Sequence, residues 1–250
     1  MRRPTVAVAG LGLIGGSLAK ALTRAGYRVI GVDTLARTRA ARRGGAIAAA
    51  AVSVAAAARE ADVLVLAAPP AANLRLLAEA ARAAPPALVI TDVSSVKRPI
   101  VAAARRLRLA RFVGGHPMAG RERSGFAASS ADLFRGAPWI LTPSPAAPRR
   151  MVARIVRDVG ARPVVVAEAA HDRAMAYLSH LPQVVAWALA AAAHGDRVTA
   201  RLLRLAGPGF RDMTRLAASP RTLWREVLAQ NADEIARARK GFARALRARP

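Results

Sequence analysis

Apolar and polar positions follow two different rhythms along this chain. In the first two-thirds, short aliphatic runs recur between stretches with helical spacing. They predict strands over 5–9, 28–32, 63–67, 88–91, 112–114, 139–142 and 162–167, and helices near 15–25, 53–60, 72–83, 98–107 and 148–158. Strands alternating with helices predict a parallel sheet covered on both faces. Beyond residue 168 the strand signal disappears, and the spacing predicts helices at about 171–193, 196–205, 209–217 and 220–247. Pro182 interrupts the first of these and must free a carbonyl one turn earlier. Ser219-Pro220 offers an N-cap and first-turn pair for the last, whose partial apolar stripe runs from Leu223 through Val227, Leu228, Ile235 and Phe242 to Leu246. The fold class is therefore α/β, with an α/β domain over 1–167 followed by an all-helical domain over 168–250.

The first aliphatic run, Thr5 to Ala9, leads directly into Gly10-Leu11-Gly12-Leu13-Ile14-Gly15. This is a G-x-G-x-x-G turn with a strand before it and a helix after it. Asp33 closes the next strand, at about the 20-residue spacing such sites use. Gly10 permits the tight turn, Gly12 lets backbone approach a pyrophosphate, and Gly15 lets helix and strand pack closely. The amide groups of Leu13, Ile14 and Gly15 open the helix toward the phosphates. Asp33 would accept hydrogen bonds from an adenosine ribose and repel a 2′-phosphate, which favours NAD. Arg37 and Arg39 lie near enough in sequence to leave NADP possible. The first domain is thus expected to be a Rossmann-like NAD-binding domain.

Composition narrows the choices further. With no cysteine there is no disulfide framework, thiolate nucleophile or thiolate metal site, and a reducing, cytoplasmic setting fits. Met1-Arg2-Arg3 before an apolar run imitates a signal peptide, but that run is the strand and glycine turn just described. Residues 174–195 carry no formal charge, yet Ser179, Pro182, Gln183 and two histidines break the stretch. It reads as a buried helix and not as a membrane span. The formal net charge is +25, from 40 basic and 15 acidic residues, and nearly all the cations are arginine. They are scattered and aromatics are few, unlike the clustered charge and stacking rings of nucleic-acid binders. No nucleic-acid or membrane partner is expected, although the positive field would draw anionic ligands.

Candidate chemistry gathers in four segments. Gly114-Gly115-His116-Pro117-Met118-Ala119-Gly120 follows a strand, so His116 is expected at a carboxyl edge, in a close-approach loop facing the cofactor crevice. A histidine there can take a hydroxyl proton as hydride leaves the same carbon. Asp92-Val93-Ser94-Ser95-Val96-Lys97 ends the strand before it; its serines either orient His116 and the nicotinamide or cap the helix near Pro99. His180 and Gln183 share a helix face near Tyr177, while His171, beside Asp172, falls roughly opposite His180 on a straight helix. No metal-ligand spacing occurs, and no metal is expected. Arg211 and Arg215 are a turn apart, and either could offer a fork to a substrate carboxylate. By themselves Trp224 reads as core and Ser219 as an N-cap.

Taken in order, these segments resemble the prephenate/arogenate dehydrogenase family of tyrosine biosynthesis. The likeness runs through Gly10–Gly15, Asp33, Asp92–Lys97, Gly114–Gly120 with Glu122 and Ser124-Gly125, Leu133–Ala137, His171-Asp172, Ser179–Pro182 and Gly209–Trp224. The resemblance implies NAD-dependent oxidative decarboxylation of prephenate to 4-hydroxyphenylpyruvate, or of arogenate to tyrosine. It further implies a homodimer formed through the helical domain. His116 matches the family's catalytic histidine, Ser95 the serine supporting it, and Arg215 the arginine that binds a substrate carboxylate. Ser219, Trp224, Glu122, His171 and His180 match positions that line or shape the pocket. Several relatives carry a substrate-contacting histidine where Gln183 stands, which leaves the choice between prephenate and arogenate open. The alternatives are a β-hydroxyacid dehydrogenase or imino-acid reductase of similar architecture, and a non-enzymatic NAD-sensing or nucleic-acid-binding protein. The first usually needs a helical-domain lysine, and only Lys240 is on offer.

Overall fold

The structure is a computed structural model that describes residues 3–121 and 123–248. The chain divides between Ala169 and Ala170 into two compact units.

In the first unit, β1 (Thr5–Ala9), β2 (Arg28–Val32), β3 (Ala49–Ala50), β4 (Val63–Leu66), β5 (Val89–Asp92) and β6 (Phe112–Val113) form one parallel sheet in the order β3-β2-β1-β4-β5-β6. The crossovers are α1 (Leu13–Arg24), α2 (Leu35–Arg43), α3 (Val54–Glu60), α4 (Pro70–Ala83) and α5 (Arg98–Arg106). Strand period explains the two-sided burial. Val6, Val8, Val63 and Val65 face a core shared with Leu18 and Leu22 of α1. Ala7, Ala9, Leu64 and Leu66 face the opposite core with Leu77 and Ile100. Continuous apolar runs, instead of alternating ones, follow from a sheet covered on both sides.

Two elements here escape the periodicity. In α2 only Thr38 and Ala41 are buried, so an arginine-rich helix shows no apolar stripe. Strand β3 is a pair of alanines.

The strand predicted at 112–114 ends one residue early, and the chain then changes sheets. A second sheet pairs β7 (Gly115–Pro117) antiparallel to β8 (Pro138–Leu141), which runs parallel to β9 (Arg162–Val165) after α6 (Ala146–Asp158). The later strands therefore leave the parallel sheet. Backbone crowding at the switch accounts for the two glycines. A Cβ on Gly115 would lie 2.5 Å from the Asp92 carbonyl oxygen, and one on Gly114 would lie 2.8 Å from Thr142 Oγ1.

The second unit is helical: α7 (Glu168–Met175, which begins just before the unit boundary), α8 (Leu181–Gly195), α9 (Arg197–Leu202), α10 (Pro208–Thr214), α11 (Arg221–Gln230) and α12 (Ala232–Arg247). The single helix expected over 171–193 is wound as α7, a π turn at Ala176–His180 and then α8. Pro182 has no N–H to return to the preceding turn, and the wider π winding absorbs the mismatch. The helix expected over 220–247 is broken at Asn231, whose φ is −126°. Ser219 does not cap it: the helix starts at Arg221, Pro220 holds the N-cap position, and no side chain caps it. Ala176, Leu181, Ile235 and Ala238 form a small core, while Leu178, Val198, Leu205 and Leu246 remain exposed. Among the described residues, no helix is long and apolar enough to cross a membrane.

Candidate active site

The glycine turn has the geometry a diphosphate requires. Gly10 sits at φ +99°, and its N–H donates to Val32 O at 2.8 Å. A Cβ on Gly15 would stand 1.8 Å from Gly10 O, so only glycine lets α1 approach β1 this closely. Gly12 differs, because among the described residues nothing lies within 4 Å of a Cβ built there. Its hydrogen leaves open space in front of the amino end of α1, where no side chain caps the first-turn N–H groups. Half-buried Leu13 and Ile14 begin that helix. Asp33 ties the turn to the next strand: Oδ2 accepts from Leu11 N and Oδ1 from Thr34 N, both at 2.7 Å. Arg37 Nη1 pairs with Oδ1 at 3.2 Å. Open space, uncapped donors and an anchored carboxylate together fit the pyrophosphate and ribose of a dinucleotide.

At the same carboxyl edge of the sheet, β5 ends in Asp92, which is fully buried. Its Oδ1 accepts from Gly115 N and its Oδ2 from Ser94 N, each at 2.9 Å. Lys97, also fully buried, donates Nζ to Asp92 Oδ2 and to Gly115 O, both at 2.5 Å. One ion pair thus holds Gly115 by its N–H and its C=O. His116 follows directly, half-buried in β7 opposite Ile140. It lies on a strand, where a loop was expected, because the second sheet begins at Gly115. Ser95, half-buried, occupies the turn between Ser94 and Lys97. Ser94 does not cap α5; its Oγ accepts from Asn73 Nδ2 at 2.9 Å.

In the second unit, the π turn ends at buried His180. Asn231 Nδ2 reaches Asp172 O at 2.8 Å and His180 Nδ1 at 3.2 Å, and His171 Nδ1 meets Asp172 Oδ1 at 2.7 Å. His171 and His180, opposite on an ideal helix, are joined through Asp172 and Asn231. Burial pulls the His180 imidazole down to about 4, against an upward pull from Asp172 and with a further downward push from His171. Trp224 is half-buried and meets the His180 ring edge-on, with centroids 6.1 Å apart.

Gln183 Nε2 donates to Leu216 O at 2.7 Å, and Trp187 Nε1, a turn further along α8, donates to Ala217 O at 3.1 Å. Arg215 opens this gripped turn and is exposed; half-buried Ser219 closes it. Tyr177 is exposed, and Glu122 lies outside the described residues. The sequence assigns no role to Asn231, or to Lys97 beyond its place at the end of the Asp92–Lys97 segment. An asparagine inside a long predicted helix was the one available signal for the first. Among the described residues, no group of three or more acidic or histidine side chains could hold a metal.

A doubly wound NAD-binding unit with a histidine at its carboxyl edge, followed by a helical unit carrying polar and cationic groups, defines a two-domain nicotinamide-dependent oxidoreductase. Family models agree over nearly the whole chain: "Prephenate dehydrogenase, nucleotide-binding domain" matches residues 18–165, and "Prephenate dehydrogenase, dimerization domain" matches 167–248. The chain therefore belongs to the prephenate dehydrogenase family.

Prephenate dehydrogenase of Bacillus subtilis (strain 168) is 37% identical over 243 residues, 93% of this chain and 66% of the relative. The crystal structure of prephenate dehydrogenase from A. aeolicus, in complex with hydroxyphenyl propionate and NAD+, has a TM-score of 0.92 at 30% identity, covering 99% of this chain and 89% of that one. Synechocystis arogenate dehydrogenase has a TM-score of 0.86 at 30% identity, covering 97% and 89%. Membership sets aside the hydroxyacid-dehydrogenase, imino-acid-reductase and non-enzymatic alternatives.

Proposed function

We propose that the protein catalyses NAD-dependent oxidative decarboxylation of prephenate or arogenate, with His116 as the proton acceptor. The observation that carries this is the double grip on Gly115, which presents His116 at the same sheet edge as the glycine turn. When bound, NAD supplies the acceptor for the hydride leaving ring C4. His116 takes the proton of the C4 hydroxyl, and the carbinol becomes a ketone. As the ring carboxylate departs as carbon dioxide, its electron pair runs through the ring to that oxygen, which regains the proton and becomes a phenol. Aromatisation makes the sum strongly downhill, so the chain's own task is positioning and proton transfer.

Ser95 supports His116. The Arg215 fork binds a substrate carboxylate, and His180, Gln183, Ser219, Trp224 and Glu122 are further substrate-binding residues. The Gly10–Gly15 turn takes the pyrophosphate and Asp33 the ribose. Assembly as a homodimer through the helical unit is supported by the exposed Leu178, Val198 and Leu205 beside a small core.

The test is NADH formation by purified protein with prephenate and arogenate supplied separately. Silence with both, from folded protein that binds NAD, overturns the proposal.

A further inference from the structure

We propose that Gln183 is the specificity-determining residue that makes this protein prefer the amino-acid substrate, arogenate, by accepting a hydrogen bond from its α-ammonium group. The inference rests on the proposed reaction and concerns which of its two substrates is favoured.

Gln183 is fully buried on α8. A backbone carbonyl can only accept, so the 2.7 Å bond to Leu216 O must come from the amide nitrogen, which fixes the orientation of the whole amide. Its Oε1 is left buried with no hydrogen-bond partner among the described residues. Buried polar atoms are so rarely orphaned that each one calls for a partner. The buried donor Asn231 Nδ2 of the same unit is engaged elsewhere, by Asp172 O and His180 Nδ1.

The Gln183 side chain is tied to the turn that Arg215, the proposed carboxylate ligand, opens. Gln183 grips Leu216, next in sequence to Arg215, and Trp187 fixes the following carbonyl of the same turn. An α-amino acid carries its carboxylate and its ammonium on one carbon. If Arg215 holds the first, the second meets an oxygen in need of a donor. An α-keto acid presents a carbonyl oxygen at that point, acceptor against acceptor. Turning the amide over to accommodate it would break the bond to Leu216 and only move the mismatch. Gln183 is also uncharged at every pH, so the discrimination is a matter of donor and acceptor.

A hydrogen bond to a charged group corresponds to a preference of about 10- to 100-fold in kcat/KM for arogenate over prephenate. The experiment measures that ratio with NAD in the natural protein and in Gln183→Met, which has similar length and no acceptor. Thermal melting and NAD binding verify that the variant is folded. In parallel, calorimetry in the presence of NAD compares L-tyrosine with 4-hydroxyphenylpropionate, which lacks the ammonium group. We expect arogenate and tyrosine to be favoured by the natural protein, and both advantages to collapse toward unity in Gln183→Met. Equal or better turnover of prephenate overturns the inference and leaves the family reaction standing. So does an unchanged ratio in Gln183→Met, which would mean that water satisfies the oxygen. Turnover of neither substrate overturns the proposed function itself. Should the variant fail to fold, the ratio and the ligand pair in the natural protein decide the matter.

Discussion

Lys97 Nζ and Asp92 Oδ2 lie 2.5 Å apart with both side chains wholly buried, and between them they hold the backbone on either side of Gly115. Removing one partner strands a buried charge, which typically costs about 3–5 kcal/mol. Lys97→Met should therefore lower unfolding free energy by that order in denaturant titrations. Adding Asp92→Asn should restore part of the loss. A single variant as stable as the natural protein would mean that the pair does not hold β7.

His116 stands one residue beyond that grip. His116→Asn keeps a side chain of similar reach but cannot cycle a proton at the substrate hydroxyl. Turnover should fall by roughly 10²–10⁴-fold, with NAD affinity and KM nearly unchanged. Stopped-flow NADH formation together with NAD titration separates the two. A fall confined to KM would reassign His116 to binding.

Gly12 and Gly15 predict opposite phenotypes. At Gly15 an added methyl meets Gly10 O at 1.8 Å, so Gly15→Ala should destabilise the NAD-binding unit by about 3 kcal/mol or more. At Gly12 the methyl enters open space, and Gly12→Ala should fold with a stability change within about 1 kcal/mol. Its NAD affinity should nevertheless drop about tenfold, because the methyl occupies the diphosphate's place. Melting curves with and without NAD distinguish the two variants.

His180 adds a pH dependence whose sign follows from its buried, neutral state. Its pKa is about 4 in the folded chain against 6.5 for the free side chain. Between those values the unfolded chain binds a proton that the folded chain refuses. Its contribution, roughly 3 kcal/mol, is complete above pH 6.5 and is lost as pH falls toward 4. Denaturant titrations of the natural protein and His180→Gln across this window should give a shallower slope for the variant. Identical slopes would mean that His180 is protonated in the folded state.

Local spacing made much of this legible. The glycine turn, Asp33 and the histidine after β6 are short-range patterns, and the central strands advertise themselves as unbroken apolar runs because both faces are covered. Other features depend on distant partners and leave no local trace. The oxygens around Lys97 include the carbonyl of Gly115, 18 residues on. Asn231 finds His180 across 51 residues. The break between α11 and α12 has no proline or glycine to announce it. Helix α2 stayed hidden for a compositional reason: an arginine-rich surface helix with two buried residues shows no stripe to read.

The burial of Lys97 has one more consequence, because the chain has so few amines. Only Lys20, Lys97 and Lys240 are lysines. Lys240 is exposed on α12, and Lys20 is half-buried, donating Nζ to Ser129 O at 2.9 Å. An amine-directed reagent will mark Lys240 readily and Lys20 more slowly. It can reach Lys97 only in molecules whose NAD-binding unit has opened. Acylation at that one side chain, followed by mass spectrometry, is thus a built-in counter of how often the unit unfolds, and saturation with NAD should slow the count.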